Sequence, residues 1–318
     1  MAVKKLDTTV RIGPLTFKNP VLAASGTYGY AKEFEQFYPV KTLGGIVTKT
    51  ITVKPRTGNP PQRIYETPSG MMNAIGLQNV GADAFLTDKL PYLASLGIPV
   101  IVSVMGYSID EFRAVIGILE KGKGISGYEL NLSCPNVAYG TQAKVADRPA
   151  KMFAHDAAMI ESVVKAAREE TKKPIIAKLG PDVSDIGMMA RAAESAGADA
   201  VSLINTFIAL AIDIKKRRPY IKNVTGGLSG PCIRPIAVRL TWEAARAVQI
   251  PVIGMGGIAT AKDALEFIIA GASLVQVGTM NFVNPMVCPQ VISGIEAFLK
   301  EEKIASVKEL IGTLNCQK

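Results

Sequence analysis

Eight short apolar strands, rich in β-branched residues and separated by segments of helical period, run through this 318-residue chain. They read as Val21–Ala24, Gly45–Lys49, Pro99–Val104, Gly127–Ser133, Pro174–Leu179, Ala200–Asn205, Pro251–Gly254 and Leu274–Val277. Among the intervening segments, Ala157–Glu170 places Ile160, Val163, Val164 and Ala167 on one face. Ile186–Ser195 groups Met189, Ala192 and Ala193 and stops at Gly197; Ala261–Ala270 groups Ala264, Leu265, Ile268 and Ile269 and stops at Gly271. Apolar strands alternating with amphipathic helices imply a parallel sheet covered on both faces. Eight such units favour a closed (β/α)8 TIM barrel, taken as one domain over residues 1–318. The alternative, a doubly wound sheet, lacks a GxGxxG opening a helix after an early strand. Thr9–Ile12 and Leu15–Phe17, around Gly13-Pro14, read as a short N-terminal hairpin plugging one end.

A chain that is 48% hydrophobic, with mean hydropathy +0.23, has ample material for a large core. No apolar run reaches about 18 residues, so no membrane span is expected. The start, MAVKKLDTTVRIG, lacks an apolar signal core and reads as mature protein. Cys134, Cys232, Cys288 and Cys316 lie far apart without a CxxC pair. That pattern suits a reduced cytoplasmic protein with no metal or iron–sulfur site of its own. The net charge of +9 is scattered, densest at Lys215-Lys216-Arg217-Arg218. It reads as a solvated face or a surface for anionic substrates rather than a nucleic-acid site. The single histidine, His155, reads as a surface or cap residue.

In a barrel of this kind the active groups lie at the C-terminal strand ends and in the following loops. The strands deliver Ser25, Lys49-Thr50, Ser103, Asn131 with Cys134, Lys178, Asn205-Thr206, Gly256-Gly257 and Gly278-Thr279, in that order. The paired glycine loops GMGGIAT and VGTMN suit a phosphate, because glycine lets backbone N–H groups approach closely. Lys49 and Lys178 end apolar strands, where a buried ammonium needs an anion. One could hold the electron-rich edge of a reduced flavin and the other a carboxylate; the alternative is a salt bridge to a loop acid such as Glu129. Asn73, Asn131, Asn136 and Asn205 suit a planar ring edged with C=O and N–H groups. Asn73 lies in MMNAIGLQN, read as a loop after the second strand.

The stretch GYELNLSCPN, Gly127–Asn136, ends a strand on Cys134, with Pro135 closing the ladder and amides on either side. No histidine lies near in sequence to make this thiol a paired nucleophile. A thiol with an ordinary pKa near 8.5 can instead take a proton acidified by a neighbouring carbonyl. Cys232, Cys288 and Cys316 read as inert.

ELNLSCPN, NAIGLQN, the INT…AID…RRP stretch, GGLSGP, GMGGI and QVGT occur in order over nearly the whole chain. Together they resemble class 1 dihydroorotate dehydrogenase. NAIGLQN and GGLSGPCIRPIA are more similar to the NAD-linked subtype, 1B, than to the fumarate-linked 1A. Class 2 enzymes, with a serine base and an N-terminal membrane segment, are less similar. The resemblance implies oxidation of (S)-dihydroorotate to orotate in pyrimidine (UMP) biosynthesis on a bound FMN. It implies FMN contacts from Ser25, Lys49, Thr50, Ser103, Asn131, Lys178, Ile204, Gly230, Gly256, Gly257, Gly278 and Thr279. Substrate contacts are implied for Lys49, Asn73, Ala74, Ile75, Gly76, Leu77, Asn131, Asn136, Asn205 and Thr206. Cys134 becomes the base for the C5 proton, with the C6 hydride passing to flavin N5. A partner subunit with FAD and a [2Fe–2S] cluster is implied, around a homodimer within a heterotetramer.

Three departures stand out. Ser103 occupies a position where the family usually has Asn, Phe207-Ile208-Ala209-Leu210 replaces a more glycine-rich stretch, and the loop Val137–Pro149 differs from the usual form. Two rival readings remain at this level: a dihydropyrimidine dehydrogenase acting on an uncharged ring, and a non-catalytic basic binding module.

Overall fold

The computed structural model describes residues 6–133 and 153–316. Eight parallel strands close into a barrel. In chain order they are Val21–Ala23, Gly45–Val47, Val100–Val104, Gly127–Asn131, Ile175–Leu179, Ala200–Leu203, Val252–Met255 and Ala272–Val277. Each pairs with its sequence neighbours, and the eighth closes onto the first through Val275 opposite Val21. The closed barrel excludes the doubly wound alternative. Its strands coincide with the expected ones to within two residues at each end.

The helices begin where the sequence supplies a cap. Asp156 accepts from the backbone N–H groups of Ala158 and Met159 at the start of Ala157–Glu170. Asp185 accepts from Met188 N–H ahead of Ile186–Ser195. Thr260 and Asp263 form a reciprocal capping box on Ala261–Ala270, which ends at Gly271. The apolar faces named above are buried against the barrel, with Ile160, Val163, Val164, Ala193, Ala264 and Ile268 at or near zero exposure.

Along Gly127–Asn131, Tyr128 and Leu130 alternate with Glu129 and Asn131, but neither face meets water: all five residues are buried. Tyr128 donates its hydroxyl to Glu120, which also accepts from Thr171 and Lys173. Glu129 instead reaches Ser202 on the sixth strand and Gln276 on the eighth.

A four-stranded antiparallel sheet stands beside the barrel, in the order Phe207–Ala209, Gly226–Ser229, Gly70–Asn73, Ile64–Thr67. It is assembled from the segments after the second and sixth strands. Asn73 therefore ends a strand, not a loop as the sequence suggests. These strands are three or four residues long, and two of them carry glycine. Without a run of alternation they carry little periodic signal. The N-terminal hairpin pairs Val10–Ile12 with Leu15–Phe17. Among the described residues, no helix is long and apolar enough to cross a membrane.

The hairpin's lead-in is tied to the chain's far end. Asp7 N–H donates to Ala305 O, and Val307 N–H donates to Asp7 O. The Asp7 carboxylate accepts from Thr9 N–H and Oγ1, then from Lys308, and these contacts lower its pKa from 3.8 to about 2. A folded-state pKa below the unfolded one gives stability that is complete above the unfolded value and lost as pH falls through the folded one. Asp7→Asn should therefore melt below the wild type at pH 7. That gap should close between about pH 4 and pH 2, as read by thermal unfolding across that range.

Candidate active site

The C-terminal ends of the strands open into a cavity of about 370 Å³, within the ~300–1,000 Å³ usual for ligand sites. Ser25 reaches it from the first strand, Lys49 and Thr50 from the second, Asn131 from the fourth and Lys178 from the fifth. The sixth strand delivers Ile204, Asn205 and Thr206; the seventh, Gly256 and Gly257; the eighth, Gly278 and Thr279. The accessory sheet and its exits add Asn73, Ile75, Gly76, Leu77 and Gly230.

Two expected contacts do not line the cavity. Ser103 is fully buried behind Thr50, with the two hydroxyls 2.9 Å apart. It braces Thr50 and does not face the cavity itself. Ala74 is fully buried with Met72 and Ile221 in the small core of the accessory sheet. Cys134 and Asn136, with the loop Val137–Pro149, lie outside the described residues.

A continuous polar chain crosses the floor. The Thr50 hydroxyl lies 3.3 Å from Ser25 Oγ and accepts from Asn131 Nδ2 at 3.3 Å. Asn205 Nδ2 lies within hydrogen-bond reach of Asn131 Oδ1 at 3.2 Å, Ser133 O at 2.9 Å and Ser133 Oγ at 3.1 Å. Three strands thus fix the two amides relative to each other. Amides held this way can recognise the edge of a planar ring without reorganising.

Lys178 Nζ lies 3.7 Å from Glu129 Oε1, and both side chains are almost wholly buried. The lysine therefore has the acidic partner foreseen as an alternative and also lines the cavity. That acid sits inside the barrel on a strand, not on a loop.

At the other end, Gly256 and Gly257 take φ of +127° and +79°, a conformation that side chains resist. A Cβ on Gly257 would stand 2.8 Å from Gly230 O and from Arg234 Cβ. One on Gly26 would meet nothing within 4 Å, and one on Gly278 nothing nearer than Ala24 Cβ at 3.7 Å. The backbones of Gly26 and Gly278 thus face open space, where backbone N–H groups suit an anion. Thr279 Oγ1 donates to Ser229 Oγ at 2.8 Å.

The chain matches the family model for dihydroorotate dehydrogenase over residues 7–299. It belongs to the dihydroorotate dehydrogenase family. A relative from Pelobacter propionicus is 48% identical over 312 residues, covering 98% of this chain and 100% of its own. One from Geotalea uraniireducens is 49% identical, covering 98% and 99%, and one from Desulforudis audaxviator 51%, covering 97% of each. All three are named dihydroorotate dehydrogenase B (NAD(+)), catalytic subunit.

Some wall residues of this family member have roles that the sequence does not show, Gln276 among them although it opens the QVGT motif. Gln276 is 1% exposed; it donates Nε2 to Glu129, and its Oε1 has no partner among the described residues. Ser229 lies within GGLSGP, so its motif is visible although its role is not. Arg63, which donates to Gln78 Oε1 at 2.6 Å, lies in a segment without any such signal. The remaining thiols and the histidine sit apart from the cavity chemistry. Burial pushes the Cys288 thiol up to about 12, and partial burial raises Cys232; Cys316 is exposed. His155 ends a short 3-10 turn beside Asp182, away from the cavity wall.

Glycine substitutions separate backbone strain from crowding. Gly97 has φ +66° and open space for 4 Å around the point a methyl would occupy, so Gly97→Ala should cost about 1–2 kcal/mol. Gly257→Ala meets backbone at 2.8 Å as well and should cost more. Urea unfolding of the two variants checks the order.

Proposed function

We propose that this protein oxidises (S)-dihydroorotate to orotate, as the catalytic subunit of an NAD-linked dihydroorotate dehydrogenase in pyrimidine biosynthesis. The observation that carries the reading is the convergence of Lys49, Asn73, Asn131, Lys178 and Asn205 on one cavity whose far end is a glycine cradle. Membership of the family supports the reaction class.

FMN is the cofactor in this reading and supplies the hydride acceptor when bound. Gly230, Gly256, Gly257, Gly278 and Thr279 would hold its phosphate tail. Ser25, Thr50, Asn131, Lys178 and Ile204 would hold its ring. The unpartnered acceptor on Gln276 and the fixed amides suit such a polar-edged ring. Lys49 would face the substrate carboxylate. Asn73, Asn131, Asn136 and Asn205 would orient the pyrimidine edges, with Ile75, Gly76, Leu77 and Thr206 closing the remaining wall. Ser103 acts through Thr50, and Ala74 supports the accessory sheet.

Cys134 takes the C5 proton. Its position in NLSCPN supports this, and a base of this kind contributes about 10²–10⁴ in rate. The electrons leave through a second chain carrying FAD and a [2Fe–2S] cluster, within a cytoplasmic heterotetramer built on a homodimer.

Purified protein should be yellow with bound FMN; a colourless protein that takes up no added FMN would favour a binding module. Cys134→Ser should slow flavin reduction by about 10²-fold or more and move its pH optimum upward, since a hydroxyl is a far weaker acid. An unchanged stopped-flow rate removes Cys134 as the base. Lys49→Ala should cost dihydroorotate about 2 kcal/mol or more, roughly thirtyfold, while sparing an uncharged dihydropyrimidine. Equal losses on both substrates would argue against Lys49 as the carboxylate partner. Reduction of NAD⁺ only after the partner chain is added tests the electron path.

A further inference from the structure

Glu129 has no part in the assignment above, yet among the described residues it is the only carboxylate with a side chain at zero exposure in an ion pair. Its Oε2 accepts from Ser202 Oγ at 2.9 Å and from Gln276 Nε2 at 2.8 Å. Its Oε1 faces Lys178 Nζ at 3.7 Å and has no hydrogen-bond donor among the described residues. The fourth, sixth and eighth strands supply Glu129, Ser202 and Gln276, the alternate-strand pattern of one barrel layer. Lys178, on the fifth strand opposite Asn131, lines the cavity.

A carboxylate is an acceptor only, so it fixes which end of the Gln276 amide it receives. One Nε2 hydrogen is committed to Glu129, and the Oε1 acceptor is left without a partner among the described residues. Glu129 likewise gives the Lys178 ammonium a fixed counter-charge where both side chains are almost wholly buried and solvent screens the pair little. Two cavity-lining groups of opposite polarity are thereby held by one residue behind the wall.

We propose that Glu129 is a positioning residue that fixes Lys178 and Gln276 and offsets the lysine's charge, thereby setting how strongly the site stabilises reduced flavin. The proposal rests on the FMN reading above. A lone ammonium beside the ring favours the reduced form, which gains negative charge; the carboxylate behind it moderates that preference.

The test uses the FMN-loaded protein and the midpoint potential of its flavin. Glu129→Gln keeps an acceptor for Ser202 and Gln276 but removes the charge. It should favour reduced flavin at least tenfold, about 30 mV more positive for a two-electron couple. Glu129→Asp, which keeps the charge, should stay within threefold of wild type. A Glu129→Gln equilibrium within threefold of wild type overturns the proposal.

Glu129→Gln leaves a buried charge alone and so risks misfolding. The apoprotein therefore carries a second arm, an unfolding cycle of Glu129→Gln, Lys178→Gln and the double variant. Coupling makes the double variant more stable than either single one; additive losses overturn the pairing. This cycle needs no cofactor, so wild-type protein that binds no FMN would sink the FMN reading while the pairing is still decided.

Discussion

Closing a parallel sheet into a barrel and ringing it with helices leaves neither face of its strands in water. Any charged side chain pointing to the axis must then find its partners among other inward side chains, or destabilise the fold. Glu129 is that side chain. Ser202, Gln276 and Lys178 come to it from three other strands. The mouth of the cavity is built directly on this arrangement, because two of those partners also line the wall.

Above that layer the site is an assembly of strand ends. Thr50 links the first, second, third and fourth strands through Ser25, Ser103 and Asn131, and Asn205 links the fourth and sixth. None of these residues is adjacent in sequence to its partner, yet each lies within three residues of the end of its strand. A parallel barrel brings such ends to one rim whatever lies between them. The accessory sheet then walls one side, with Asn73 and Ser229 on neighbouring strands.

The barrel was legible because its strands are apolar and evenly punctuated, and its helices carry their own caps. The glycine loops were legible because positive φ and close backbone approach leave few alternatives to glycine. The accessory sheet was not: Gly70–Asn73 and Phe207–Ala209 are too short to establish a period, and their partners lie far away in sequence. Ser103 illustrates another limit. Its place near a strand end suggested ligand contact, but only the structure shows its hydroxyl beside that of Thr50 and not among the residues lining the cavity. Glu129 is the converse: a polar residue that alternation alone would assign to solvent.

By itself the sequence determined the eightfold strand–helix order, the helix caps, the glycine loops and the family to which the chain belongs. Periodicity, capping and turn chemistry are local properties, written within a few residues. Tertiary structure alone decided which side of each strand faces the axis, that Lys178 meets Glu129, and which rim residues line the cavity or stand behind it. Those outcomes depend on closure and register between distant strands, and no short stretch of chain contains that information.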